Sequence, residues 1–262
     1  MNSADKPRHL SPNYAEQFGD LGVVGAYGTR PPYPSVLFDV LHDILPGPRQ
    51  RALELGCGTG DLTFGLAAQV AELDAIDPSP AMLSAAIRRH GKVPRHVRLI
   101  LAAAEKFEPR ETFGLVVAAE SLHWMDWDKV LPKIARWLTP AGVLALVTER
   151  RLVALPWEAA LRDIIARHST NQDYRPYDLV SELTQRALFV QHGRRTVHEP
   201  FSQSVGDYVE SFHSRNGFSR ERMGTASADT FDREVRALVL AHAPAGVVAA
   251  DVSATVVWGR PA

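Results

Sequence analysis

The chain has 262 residues, of which 45% are apolar, and a formal net charge of -1. That length fits one large α/β domain or two small ones with a sizeable core, and near-cancelling charge without a long single-sign run argues against a nucleic-acid surface. The single cysteine, Cys57, excludes a disulfide framework and a cysteine-rich zinc site.

Residues 1–12 are polar, without an apolar signal core, and read as disordered. No stretch of about eighteen uncharged apolar residues follows, so the expectation is a soluble, cytoplasmic protein with small-molecule partners and no membrane contact. Residues 13–34 mix aromatics, glycines and prolines and end in TRPPYP, whose prolines disfavour a helix. SVLFDVLHDIL, 35–45, has helical spacing and is closed by PGP at 46–48.

From residue 51 strands and helices alternate. RALELG reads as a buried strand, DLTFGLAAQVA as a helix, ELDAID as a strand and SPAMLSAAIRRHG as a helix ending at Gly91. VRLILAAA and FGLVVAAES read as the third and fourth strands, DWDKVLPKIARWLTPAG as a helix with a glycine stop, and VLALVTER as the fifth strand. Such alternation predicts a doubly wound α/β domain with a mostly parallel sheet covered on both faces. Beyond 151 the rhythm breaks: helical patterns at 157–169, 173–189, 204–214 and 231–244 surround a possible strand at 194–204, and ADVSATVVWGR closes the chain as an alternating strand. The organisation expected is an N-terminal arm or lid (1–34), a core (35–151), a cap and substrate-binding insertion (152–225), and a C-terminal helix with a strand returning to the sheet (226–262).

LELGCGTGD, 53–61, places three glycines at alternate positions directly after the first strand. Glycine costs backbone entropy, so three together suggest a backbone that approaches a ligand closely. In open α/β sheets that place, outside the carboxyl ends of the strands, is where ligands bind. A dinucleotide fingerprint has G-x-G-x-x-G; here the spacing is G-x-G-x-G, preceded by Glu54, with Asp61 where the third glycine of that template falls. The negative charge of Asp61 is expected to oppose a pyrophosphate.

ALELGCGTGDLT resembles the first motif of class I S-adenosylmethionine-dependent methyltransferases, and LDAIDPSPAML resembles their second. FGLVVAAESLHWMDWDKVLPKIARWLTPAGVLAL is similar to the fourth strand, helix and fifth strand of the type 11 branch that includes trans-aconitate methyltransferases. The resemblance covers residues 27–150 well and the ending TVVWGR moderately, and it implies a seven-stranded Rossmann-like methyltransferase sheet with a helical cap inserted after strand five. It further implies S-adenosyl-L-methionine as cofactor, with S-adenosyl-L-homocysteine as product. On this reading Glu54 faces the methionine amino group, and Gly56, Cys57, Gly58 and Gly60 form the loop beside it. Asp77 accepts the ribose hydroxyls. Pro78, Ser79 and Met82 lie near the adenine, and AAAEKF brings Ala104 and Glu105 to its border. Glu120, after strand four, is placed at the cofactor, and Tyr27 and Arg30 come from the arm, Arg30 toward the methionine carboxylate.

His123 is the candidate general base, on the expectation of an imidazole pKa near neutrality. Cys57 reads as a small buried loop residue without a nucleophilic role. Ten histidines are scattered without H-x-x-x-H spacing, so no metal is expected. The implied reaction is methyl transfer to oxygen, nitrogen or carbon of a small molecule, an organic acid or secondary metabolite, by a monomer or homodimer. A non-catalytic binder of the same cofactor stays open, and so, with less support, does an NAD-dependent oxidoreductase.

Overall fold

The computed structural model describes residues 6–262. Its strands are β1 (Arg51–Leu55), β2 (Glu72–Asp77), β3 (Val97–Leu101), β4 (Phe113–Ala119), β5 (Leu138–Val153), β6 (Phe189–Ser204) and β7 (Val247–Pro261). They form one seven-stranded sheet in the order β3-β2-β1-β4-β5-β7-β6. The pairs β1·β2, β1·β4, β2·β3 and β4·β5 are parallel, whereas β7 runs antiparallel to both β5 and β6. The strand order therefore reverses between β1 and β4, and that reversal opens a crevice at their carboxyl ends.

The central strands are apolar on both sides because both faces are covered. Leu53, Leu55, Val116, Ala118, Leu144 and Leu146 pack against Val130, Leu131 and Ile134 of the helix Trp127–Trp137. The alternate residues Ala52, Leu115, Val117, Ala145 and Val147 meet Leu37, Val40, Leu41 and Leu66 on the other face. Burying one such large side chain stabilises the fold by about 1.5–3 kcal/mol. A third cluster, with Trp157, Leu161, Phe212, Phe218 and Phe231, packs these later residues against Val248 and Val252 of β7.

Three boundaries differ from the sequence expectation. The helix Trp127–Trp137 stops five residues before Gly142, because Leu138 is already extended and Thr139 precedes Pro140, which disfavours helical backbone. The expected 152–225 insertion contains β6, which pairs with β7 along its whole length. Its charged sequence suits the sheet edge, where Arg194, Arg195 and Glu199 discourage pairing with another chain. Within the expected disordered stretch 1–12, residues 1–5 lie outside the described residues, but His9 and Leu10 are buried. Among the described residues no helix is long and apolar enough to cross a membrane.

Candidate functional site

The loop after β1 turns through three left-handed glycines, Gly56 (φ 71°), Gly58 (φ 54°) and Gly60 (φ 82°). The amides of Gly56 and Cys57 both donate to the Ile76 carbonyl, at 2.8 and 3.0 Å, which ties the loop to the end of β2. A Cβ on Gly56 would stand 2.7 Å from the Ser121 Cβ, so glycine there allows the β4 end to close on the loop. The Ser121 hydroxyl completes that join by donating to the Leu55 carbonyl. At Gly58 a Cβ would meet only the Tyr27 ring, at 3.8 Å.

Asp77 ends β2 and divides its carboxylate between two amides. Oδ2 accepts from Gly58 N at 2.9 Å and Oδ1 from Ser79 N at 2.8 Å. Burial raises its pKa, while those two bonds pull it down. Each oxygen keeps a lone pair beyond the amide it accepts from. The following helix Pro80–His90 is capped by Ser79, whose hydroxyl accepts from Met82 N. Glu54 is 1% exposed and accepts a 2.6 Å hydrogen bond from the Thr63 hydroxyl. Burial pushes its carboxyl up to about 8, with the Thr63 bond opposing and Asp61 and Asp77 adding to the rise.

A cavity of about 1460 Å³ opens on this crevice. Of the sequence-predicted residues, Glu54, Gly56, Cys57 and Gly58 line it from the loop, and Asp77, Pro78 and Met82 from the β2 end. Ala104, Glu105, Glu120 and His123 complete the far wall, and Tyr27 and Arg30 enter from the arm. Gly60 is the exception: it sits behind the loop against the Phe64 ring, which is stacked on His90, and a Cβ there would meet Phe64 at 2.6 Å. Its glycine serves the turn. Cys57 is 5% exposed and packs with Ala75 and Leu83; burial pushes its thiol up, which keeps it unreactive. Glu105 caps the next helix start, accepting from Asp126 N at 2.9 Å. Glu120 holds a left-handed φ of 52°, rare for a residue with a side chain, where β4 meets the crevice.

The expectation of a near-neutral His123 does not hold. Burial, reinforced by the charges of Lys6 and His9, lowers its pKa to about 3. The imidazole is neutral at pH 7, yet far too weak a base to capture a proton there. Asp61 also departs from expectation: Arg89 and Arg150 both pair with it, Arg150 at 2.7 Å. Although burial pushes its pKa up, Arg150 and Arg89 hold the carboxyl below the usual range. Its charge is thereby largely cancelled, which weakens the repulsion expected of it.

Sequence reading missed Arg150 and Arg215, both on the cavity wall. Neither belongs to a local motif, and the partner of Arg150 lies 89 positions away. Residues 17–30 are joined by hydrogen bonds to residues 214–222. Arg30 donates to the Ser214 hydroxyl at 2.7 Å, and the side-chain Oε1 of Gln17 accepts from Gly217 N at 3.0 Å. Ser219 and Arg222 both bind the Asp20 carboxylate.

Residues 52–142 match the family model described as methyltransferase domain. An uncharacterized methyltransferase of Mycobacterium tuberculosis strain H37Rv is 37% identical over 145 residues, 55% of this chain and 57% of the relative. A trans-aconitate 2-methyltransferase of Methylobacterium radiotolerans is 36% identical over 134 residues, 45% of this chain and 50% of the relative. The chain thus spans little more than half the length of these curated relatives. A solved structure described as a type II methyltransferase, from Anaeromyxobacter dehalogenans, shares the fold with a TM-score of 0.65 at 22% identity, over 88% of this chain and 97% of that one. The glycine loop and the Asp77 clamp lie within the matched segment, as do β2, β3, β4 and nearly all of β1. Residues 52–142 of this chain are similar to a methyltransferase domain, and the chain shares the fold of that solved methyltransferase structure.

Proposed function

We propose that the chain transfers a methyl group from S-adenosyl-L-methionine to oxygen, nitrogen or carbon of a small molecule in the cytoplasm, acting as a monomer or homodimer without nucleic acid. The observation that carries this reading is the union of the Asp77 clamp and the buried Glu54 in one cavity with unassigned polar walls above it. The residues fit the cofactor. Gly58 presents backbone that only the Tyr27 ring approaches, Asp77 keeps acceptor capacity for two hydroxyls, and Glu54 is an acceptor for an ammonium.

When bound, S-adenosylmethionine supplies a methyl on a sulfonium that needs no further activation. The chain's part is orientation and exclusion of water. Asp77 holds the ribose, Glu54 the amino group, Met82 and the 104–105 segment the adenine, and the Glu120 region the methionine end. Tyr27 and Arg30 close the arm over the loop. Residues 152–225, apart from the β6 edge, supply the acceptor wall, and 226–262 seals the sheet. His123 contributes a neutral ring surface and no proton transfer.

The test is release of S-adenosylhomocysteine during incubation with S-adenosylmethionine and a library of small hydroxylated, amino and carboxylic acceptors. Product formation lost in Asp77→Ala supports the reading. Tight cofactor binding without turnover across the library supports a non-catalytic binder instead.

A further inference from the structure

Arg30, Arg150 and Arg215 all line the cavity, and the first two repel the third. Two of them are matched. Arg150 pairs with Asp61 at 2.7 Å and lies over the Tyr33 ring. Arg30 donates to the hydroxyl and carbonyl of Ser214 and stacks on Tyr27 at 4.1 Å. Arg215 differs: its guanidinium contacts the face of Phe212 at 4.3 Å, and no carboxylate, carbonyl or hydroxyl accepts from it among the described residues. Burial, with Arg30 next, lowers its pKa to about 10, so it stays cationic at neutral pH. A half-buried guanidinium on a cavity wall keeps donors free for an anion, and its planar fork matches a carboxylate.

Arg215 follows Ser214, the residue to which Arg30 is bonded, and its guanidinium turns onto an aromatic ring rather than onto a polar partner. Phe212, under the Arg215 guanidinium, belongs to the cluster with Trp157 and Phe231. Arg30 is the arginine on the Tyr27 side, and Tyr27 covers Gly58. Arg215 and Glu120, which follows β4, line the same cavity, and the Glu120 carboxylate favours the cationic form of Arg215. The cavity, about 1460 Å³, exceeds the roughly 300–1,000 Å³ that one ligand commonly fills, so there is room for two molecules.

Resting on the methyltransferase reading, we propose that Arg215 anchors a carboxylate of the methyl acceptor, and that the substrate is therefore an organic anion. Arg215 is then the specificity-determining residue of the acceptor half, and the cap carries it into the cavity on the segment after Phe212.

The experiment is calorimetric titration of the full chain, first with S-adenosylhomocysteine and then, once saturated, with mono- and dicarboxylates of four to eight carbons and their amides. The inference expects at least one carboxylate to bind, its amide to bind more weakly, and Arg215→Gln to lose about tenfold or more of that affinity. Arg215→Lys keeps the charge without the fork and should fall between. S-Adenosylhomocysteine affinity should be unchanged in both variants. Carboxylate binding that persists in Arg215→Gln, equal binding of the amides, or no carboxylate binding at all overturns the inference. Loss of S-adenosylhomocysteine affinity in the variants assigns Arg215 to the cofactor's own carboxylate and overturns it too. If the wild-type chain does not bind S-adenosylhomocysteine, the methyltransferase reading itself fails.

Discussion

The amide of Gly58 donates to the Asp77 carboxylate at 2.9 Å, joining the loop after β1 to the end of β2 across nineteen positions of sequence. One carboxylate thus shapes the glycine loop and presents its remaining lone pairs to the cavity. Loop geometry and ligand recognition are coupled through this residue.

That coupling predicts two separable effects at Asp77. Asp77→Ala leaves the Gly58 and Ser79 amides without their acceptor, which costs about 1–3 kcal/mol. Asp77→Asn retains an acceptor oxygen and should unfold closer to wild type in urea, yet lose at least about tenfold in S-adenosylhomocysteine affinity, because an amide accepts fewer hydroxyls. Equal affinity of Asp77→Asn and wild type would remove the ribose assignment.

The glycines should respond unequally to alanine. Gly56→Ala drives a methyl against Ser121 at 2.7 Å and strains a φ of 71°, so it should be less stable than Gly58→Ala by about 1–3 kcal/mol. Gly58→Ala carries backbone strain alone, about 1–2 kcal/mol, and should fold with weakened cofactor affinity because its methyl enters the cavity. Chemical denaturation ranks the two; the reverse order contradicts the packing described.

Glu54 gives a proton-linked signature. Its carboxyl titrates at about 8 in the free protein, raised from an ordinary 4.5 chiefly by burial. The folded state therefore holds the extra proton between those values: this stabilisation is full below pH 4.5 and lost as pH rises through 8. An ammonium beside Glu54 favours the carboxylate, so cofactor binding at pH 7 should release about one proton and tighten as pH climbs toward 8. Titrations in buffers of differing ionisation enthalpy measure that proton. Zero release, and an affinity flat from pH 6 to 8, would separate Glu54 from the amino group.

Asp61 carries the opposite linkage. Its folded pKa is depressed because Arg150 and Arg89 outweigh burial, so its stabilisation is present above the unfolded pKa and lost as pH falls through the folded value. Asp61→Asn strands Arg150, whose side chain is 4% exposed, and should cost about 3–5 kcal/mol at pH 7. The double replacement Asp61→Leu with Arg150→Met should recover most of that loss. A double variant no more stable than the single one contradicts this account of the pair.

His123→Gln should leave the pH dependence of turnover between 5 and 8 unchanged, since a group at about 3 is neutral throughout that range. Disappearance of a titration step in the variant would restore His123 as a base.

The parts of this molecule legible in its sequence are those whose cause is local. Alternating apolar runs placed β1 to β5 and the helices between them, and the glycine spacing with Asp77 marked the crevice. The unread parts depend on distant partners. Asp61 reads as a bare negative charge until Arg150, 89 positions on, is folded against it. His123 reads as an ordinary imidazole because its depressed pKa comes from the burial around it, with Lys6 and His9 of the arm adding to it. Of β6 only 194–204 reads as a possible strand; its first residues, from Phe189, read as the end of the preceding helix. Gly60 matches the motif but answers to Phe64 behind the loop.

The central claim is best tested by calorimetric titration of the cofactor-free chain with S-adenosylhomocysteine and, separately, NADH, alongside Asp77→Ala. The account predicts micromolar-range binding of S-adenosylhomocysteine, lost in the variant, and no binding of NADH. Binding of NADH alone, or S-adenosylhomocysteine affinity indifferent to Asp77, would contradict it.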